Sequence, residues 1–164
     1  MRVSRICGVR AALIIIGAVF ALTGGSAWAK DPPSDLCSLL TPEQLQKTLG
    51  QAFDAAEKGT WPAPYAGQPS GTKCEYSSKK QHSRVTFIAY VDSSPAQAKQ
   101  NFDKLSVWFP AKSKPAIGDS AYIDTKGAIH VLKARVRYYI EISSSGGSSE
   151  KAVNDLATLV ATEI

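Results

Sequence analysis

Histidine is scarce in this sequence, with two residues in 164, and none of the three cysteines belongs to a C-x-x-C pair. The first shortage restricts any Ser-His-Asp arrangement to His82 or His130. The second argues against zinc held by Cys37, Cys74, His82 and His130, because zinc sites bring their cysteines in close pairs. Long apolar runs are missing too. The longest, Ala11–Leu22, rises only about 18 Å as a helix, short of the ~30 Å hydrocarbon core of a bilayer. Charge of one sign is not in large excess, with 19 basic against 14 acidic residues. With no recognisable nucleic-acid-binding module either, a DNA or RNA partner is not expected.

Much of the positive bias sits in one segment. Residues 1–29 contain Arg2, Arg5 and Arg10 and no acid, followed by the apolar run and then Ala27-Trp28-Ala29. A basic head, a short apolar stretch and an A-x-A end form a secretory signal peptide, cut after Ala29. Cys7 lies in the basic head and Cys37 follows Ser34-Asp35-Leu36, so neither makes a lipoprotein attachment site, and no stable membrane anchor is expected after cleavage. Losing the three arginines leaves 16 basic residues against the same 14 acids, a net charge of +2. Losing Cys7 leaves Cys37 and Cys74, which have one possible intramolecular pairing in an oxidising compartment. That bridge closes a loop of about 38 residues and contributes about 4 kcal/mol on the loop-entropy model.

The expected organisation is an extended leader over residues 30–36 and a single α+β domain over 37–164. Thr41-Pro42-Glu43-Gln44 is a capping box with proline at the first helical position, and the helix should stop at Gly50. Residues 58–72, rich in glycine and proline, are expected to be irregular. Strands are expected from Cys74, over Arg84–Val91, over Ala121–Ile123, over Ala128–Lys133 and over Val136–Ser143, the last two joined by a turn near Ala134. The second is apolar on both sides and so central in its sheet. In the last, Val136, Tyr138, Ile140 and Ile142 face inward and Arg137, Tyr139 and Glu141 outward. Ser94-Pro95 opens a second helix with Ala98, Phe102 and Leu105 on one stripe, and Ser149-Glu150 opens a third. The order α-β-β-α-β-β-β-α predicts a largely antiparallel five-stranded sheet with its helices on one face.

Cys37-Ser38-Leu39-Leu40-Thr41-Pro42-Glu43, then Cys74-Glu75-Tyr76, then Ile117-Gly118-Asp119-Ser120-Ala121-Tyr122 occur in that order across residues 35–162. In this the chain resembles a family of bacterial secreted proteins and lipoproteins of unknown function, common in actinobacteria. It is distantly similar to the extracellular sensor domains of bacterial serine/threonine kinases. The resemblance implies a helix-covered antiparallel sheet with a disulfide joining the first helix to the first strand, and it carries over no catalytic residue. The chain departs from the pattern in lacking a lipobox and in having Ala134 rather than glycine near the hairpin turn.

Chemistry of other kinds is thinly represented. Gly118-Asp119-Ser120-Ala121-Tyr122 lacks the second glycine of a nucleophile elbow and is followed by a strand, so it reads as a tight turn whose Asp119 bonds backbone N–H groups. His130 reads as a half-buried strand histidine with a backbone partner and His82 as an exposed turn residue. Trp61-Pro62-Ala63-Pro64-Tyr65 places two aromatics in a loop that the disulfide tethers, a plausible contact surface. Trp108-Phe109-Pro110 reads as packing into the edge of the core. The expectation is therefore an exported, non-enzymatic domain that binds an unknown protein or small ligand at the cell envelope, periplasmic or extracellular, without cofactor or metal. Trp61, Tyr65, Arg135, Arg137 and Tyr139 are its candidate contacts. A small secreted hydrolase using Ser120 or Ser77 with a histidine, and a structural subunit of an envelope complex, are the alternatives. Mass spectrometry of the exported protein should find Lys30 at its N-terminus and no free thiol at Cys37 or Cys74; retention of residues 1–29, or two free thiols, would contradict this.

Overall fold

Thr41 and Ser94 cap their helices as the sequence leads one to expect. The Thr41 hydroxyl accepts from the Gln44 N–H, while the Gln44 side chain accepts from the Thr41 N–H at 2.8 Å. The Ser94 hydroxyl accepts from the Gln97 N–H. These caps open helix α1 (Pro42–Leu49) and helix α2 (Pro95–Trp108), each with proline in its first turn, where a missing N–H costs nothing. Gly50 ends α1 at φ 70°, the left-handed conformation that glycine takes without penalty. The computed structural model describes residues 31–80, 82–145, 147 and 149–164. The signal peptide and cleavage point read over residues 1–29, and Lys30 of the leader, lie outside the described residues.

A 3-10 turn, Leu36–Leu39, precedes α1. Seven strands follow: β1 (Glu57–Trp61), β2 (Gly71–Ser78) and β3 (Ser83–Val91) before α2, then β4 (Ala111–Ser113), β5 (Ser120–Asp124), β6 (Ile129–Lys133) and β7 (Val136–Ser143) before helix α3 (Glu150–Glu163). They form one antiparallel sheet in the order β1-β2-β3-β7-β6-β5-β4. The fold is α+β, as expected, but the sheet has seven strands rather than five. The two additional strands are its edges. Glu57–Trp61 is exposed throughout and β4 nearly so. An edge strand that buries no side chain carries no hydrophobic alternation, so backbone pairing alone defines it. β1 thus runs into the stretch expected to be irregular, pairing Trp61 with Gly71 and Lys58 with Cys74.

The helices also divide between the two faces, where a single covered face was expected. On one side Val85, Phe87, Tyr138, Ile140, Ile129 and Ile123 pack with Leu45 of α1 and with Val153, Leu156, Ala157 and Val160 of α3. On the other, Ala98 and Phe102 of α2 pack on Tyr122 and Leu132. Tyr138 donates its hydroxyl proton to the Ala157 carbonyl at 2.6 Å, fixing α3 to the sheet. Tyr76 donates within the first layer to the backbone carbonyls of Cys37 and Leu40.

Cys37 and Cys74 form the disulfide, with Cα atoms 5.6 Å apart. It joins the 3-10 turn to β2 rather than α1 to the first strand. Its sulfurs lie in the first layer with Leu36, Leu39 and Leu40. The bridge therefore anchors the start of the domain against the sheet before α1 begins.

At Gly118 the chain needs glycine for two reasons. Its φ is +61°, and a Cβ there would lie 2.5 Å from the Leu132 carbonyl oxygen, a backbone atom that cannot rotate away. The turn beside it matches the sequence reading: Asp119 donates its N–H to Leu132 O at 2.8 Å, and its carboxylate accepts from the Ala134 N–H at 2.6 Å. Gly67 has φ +80° with nothing near a Cβ. Gly118→Ala should therefore cost about 2–3 kcal/mol and Gly67→Ala about 1 kcal/mol by urea denaturation. Equal losses at the two positions would contradict the close approach at Gly118.

Candidate functional site

The second face of the sheet is built from the residues that alternate with the main core. Tyr122 and Asp124 of β5, His130 and Leu132 of β6, Arg137, Tyr139 and Glu141 of β7, and Thr86, Ile88 and Tyr90 of β3 lie on it in cross-strand register. Helix α2 covers part of this face. The remainder is a cleft of about 420 Å³. Trp61, Pro62 and Pro64 form one wall and Leu105 and Phe109 another, while Ile88, Tyr90, His130 and Tyr139 come from the sheet between them. Lys73, Thr86 and Glu141 supply the polar part of the lining.

A buried ion pair holds the covered end together. Arg137 Nε donates to Asp92 Oδ2 at 2.6 Å, with both side chains almost fully removed from solvent. Asp92 Oδ1 accepts from Asn101 of α2 at 2.6 Å, and Gln68 donates to Asn101 Oδ1 at 3.0 Å. The guanidinium lies 4.8 Å from the centre of the Tyr90 ring. One cluster thus fastens sheet, helix and the loop after β1. A buried charge with hydrogen bonds to spare is strongly destabilising if one partner is removed, typically about 3–5 kcal/mol.

His130 makes a second buried pair. Its Nε2 lies 3.1 Å from Asp124 Oδ2, while Asp124 Oδ1 accepts from the N–H groups of Lys126 and Ala128 and shapes the β5–β6 turn. The imidazole stacks on Tyr122, with centroids 4.6 Å apart and planes at 10°, and Phe109 and Tyr139 flank it at 5.2 and 5.0 Å. Burial pushes the His130 pKa below its ordinary value of 6.5, outweighing the Asp124 hydrogen bond and charge, which pull it up. The ring is therefore neutral at pH 7, with Nε2–H donating to Asp124 and Nδ1 left as an acceptor. Burial, with the Glu141 hydrogen bond and charge adding to it, raises the Tyr139 pKa, so that hydroxyl stays protonated and donates to Glu141 Oε2 at 2.7 Å.

The five contact candidates read from sequence do not form one surface. Trp61, 40% exposed, and Tyr139 both line the cleft. Tyr65 is half-buried with its ring 6.4 Å from Trp108, beside the cleft rather than in its lining. Arg135 sits in the β6–β7 turn, bonded to Asp31 at 2.8 Å. Arg137 is not on a solvated strand face as expected but 1% exposed beneath α2, because that face is covered. Trp108, expected at the core edge, is 71% exposed, whereas its neighbour Phe109 does pack against Phe102 and Tyr122. His130 is more deeply held than a half-buried strand residue, by a carboxylate rather than a backbone group.

Ser120 pairs opposite Leu132 and Ser77 opposite Arg84. Among the described residues no hydrogen bond joins either serine to a histidine. A broader depression of about 800 Å³ lies at the opposite end of the sheet, bordered by Thr48, His82, Ser144 and Asp155. It is open, with polar and apolar side chains mixed in its lining, and no aromatic ring other than His82 converges on it.

The His130 pair sets a pH dependence. A histidine whose pKa is depressed by folding stabilises the native state above its unfolded value, about 6.5, and that stabilisation is lost as pH falls through the lower folded value. Urea midpoints should decline from pH 7.5 to pH 5.5 in the wild type, and the decline should be smaller in His130→Gln. A decline unchanged in His130→Gln would contradict the assignment.

No family model matches the sequence, and no curated protein or solved structure matches it. What the chain does must be read from the cleft itself.

Proposed function

We propose that this chain is an exported, non-enzymatic binding domain that takes a small, largely apolar ligand in the cleft between the Trp61–Pro64 segment, α2 and the second face of the sheet. The observation that carries this reading is the cleft, about 420 Å³ in volume and lined mainly by aromatic and aliphatic side chains with a few polar groups among them. That volume and that lining are what small-molecule sites have. Trp61 and Tyr139, chosen from the sequence as contacts, border the same space. Rings with few rotatable bonds lose little entropy when a ligand orders them.

Export is supported by the basic, apolar and A-x-A pattern of residues 1–29 and is compatible with the Cys37–Cys74 bond, since such bonds persist in oxidising compartments. Among the described residues no helix is long and apolar enough to cross a membrane. A binding rather than catalytic role is supported by the state of the one histidine at the cleft. Its Nε2 is committed to Asp124, and no serine hydroxyl bonds to it among the described residues.

Trp61 provides the readout. Titrating the mature protein, in a Trp108→Phe background, with the low-molecular-mass fraction of an envelope extract should change its tryptophan emission saturably. Trp61→Phe with Trp108 retained should lose the saturable change, and Ile88→Ala should weaken binding about tenfold by emptying the floor of the cleft. If only the macromolecular fraction binds, and binds Ile88→Ala as tightly as wild type, the ligand is a protein and the cleft does not hold it.

A further inference from the structure

The ionisable groups around the cleft are not equally provided for. Lys73 is bonded to Glu75 at 2.5 Å and lies 5.7 Å from the Trp61 ring centre, so its charge is answered within the protein. Arg84 also reaches Glu75, at 3.3 Å, from an exposed position. Arg137 is answered by Asp92, and His130 is neutral with the Asp124 carboxylate directly behind it. Glu141 is the exception. Among the described residues it has no cationic partner, and its hydrogen bond is to the uncharged Tyr139 hydroxyl. Two acceptors are thus left open to a ligand, the remaining capacity of the Glu141 carboxylate and Nδ1 of His130, which bonds to no described residue, beside the Thr86 and Tyr90 hydroxyls.

The rings point the same way. Two of those lining the cleft already carry a cation, Lys73 against Trp61 and Arg137 against Tyr90. The faces of Trp, Tyr and Phe attract positive charge through their quadrupoles, most strongly where water is excluded. An anionic ligand would face Glu141 at short range in partly desolvated surroundings, with Asp124 behind His130. A neutral one would leave the Glu141 charge half-buried and unanswered, which costs binding energy.

Resting on the reading of the cleft as a ligand site, we propose that its ligand is a protonated organic amine, with Glu141 as counter-ion and Trp61, Phe109 and Tyr139 around its apolar body. The ammonium N–H groups donate to Glu141 and to Nδ1 of His130, which is what separates a protonated amine from a quaternary ammonium ion. Lys73 stays with Glu75 and bounds the site on the β2 side.

Three probes of one shape test this: phenethylammonium, 2-phenylethanol and phenylacetate, titrated into the mature protein at pH 7.5 and followed by calorimetry and by backbone amide shifts. The expected order is phenethylammonium at least tenfold tighter than 2-phenylethanol, with phenylacetate weakest. Glu141→Gln should bring the amine down to the affinity of the alcohol and leave the alcohol unchanged, while Trp61→Ala weakens both. The wild-type comparison needs no variant and decides the matter even if Glu141→Gln folds poorly. Alcohol or phenylacetate binding as tightly as the amine, or no amine binding at millimolar concentration, overturns the proposal. If the alcohol binds as tightly as the amine and Trp61→Ala weakens both, the cleft remains a ligand site and only the choice of an amine fails.

Discussion

Strand β3 turns Val85, Phe87 and Ala89 to one side and Thr86, Ile88 and Tyr90 to the other, and β7 answers it in register from Arg84↔Ser143 to Val91↔Val136. This pairing joins the three-strand unit before α2 to the four-strand unit after it. It also forces both faces to be dealt with, because neither row of side chains is polar enough to be left in water. One face is closed by α1 and α3 over a continuous core. The other is only partly closed by α2, and the cleft is the part left open.

The covered and open ends of the second face are linked through the same strands. Arg137, held by Asp92, to which Asn101 donates in turn, stands two residues before Tyr139 and four before Glu141 on β7, so the buried ion pair fixes the strand that presents the cleft's polar edge. Asp92 directly follows β3, whose Ile88 and Tyr90 form the floor. Gln68 carries the restraint into the loop that follows the Trp61–Pro64 wall. On the main-core face the Cys37–Cys74 bond attaches the leading 3-10 turn to β2, the strand that pairs with Trp61 at its Gly71 end. Gly71 has a local role there, since a Cβ at that position would lie 2.8 Å from the Tyr90 ring.

Much of the frame was legible in the sequence because it follows from local rules. The helix caps at Thr41 and Ser94, the stop at Gly50, the alternation in β3 and β7 and the single available cysteine pair all depend on near neighbours or on counting. β1 and β4 were not legible because an exposed edge strand has no pattern to read. The placement of α2 opposite α1 and α3 was missed although a signal for it existed: β3 is apolar on both sides and therefore needs cover twice. The same oversight made Arg137 look like a surface cation. Asp92 could not be connected to it from sequence, since it lies 45 residues away and meets it only through sheet register, with Asn101 reaching Asp92 through helix docking. Of the residues that line the cleft, Trp61 and Tyr139 stand out in the sequence. Glu141 reads as an outward residue, Phe109 and Tyr122 lie in stretches whose pattern points to packing and to a turn, and Asp124 carries no motif that sets it apart.

On the proposed reading, a ligand occupies the space that α2 leaves open on the second face. Backbone amide shifts of the mature protein, recorded with and without the small molecules of an envelope extract, locate any such ligand residue by residue. Perturbations should concentrate at Trp61–Pro64 (proline lacking an amide), Thr86–Tyr90, Phe109, His130 and Tyr139–Glu141. Shifts centred instead on Thr48, His82 and Asp155, or no shifts at all, would contradict that reading.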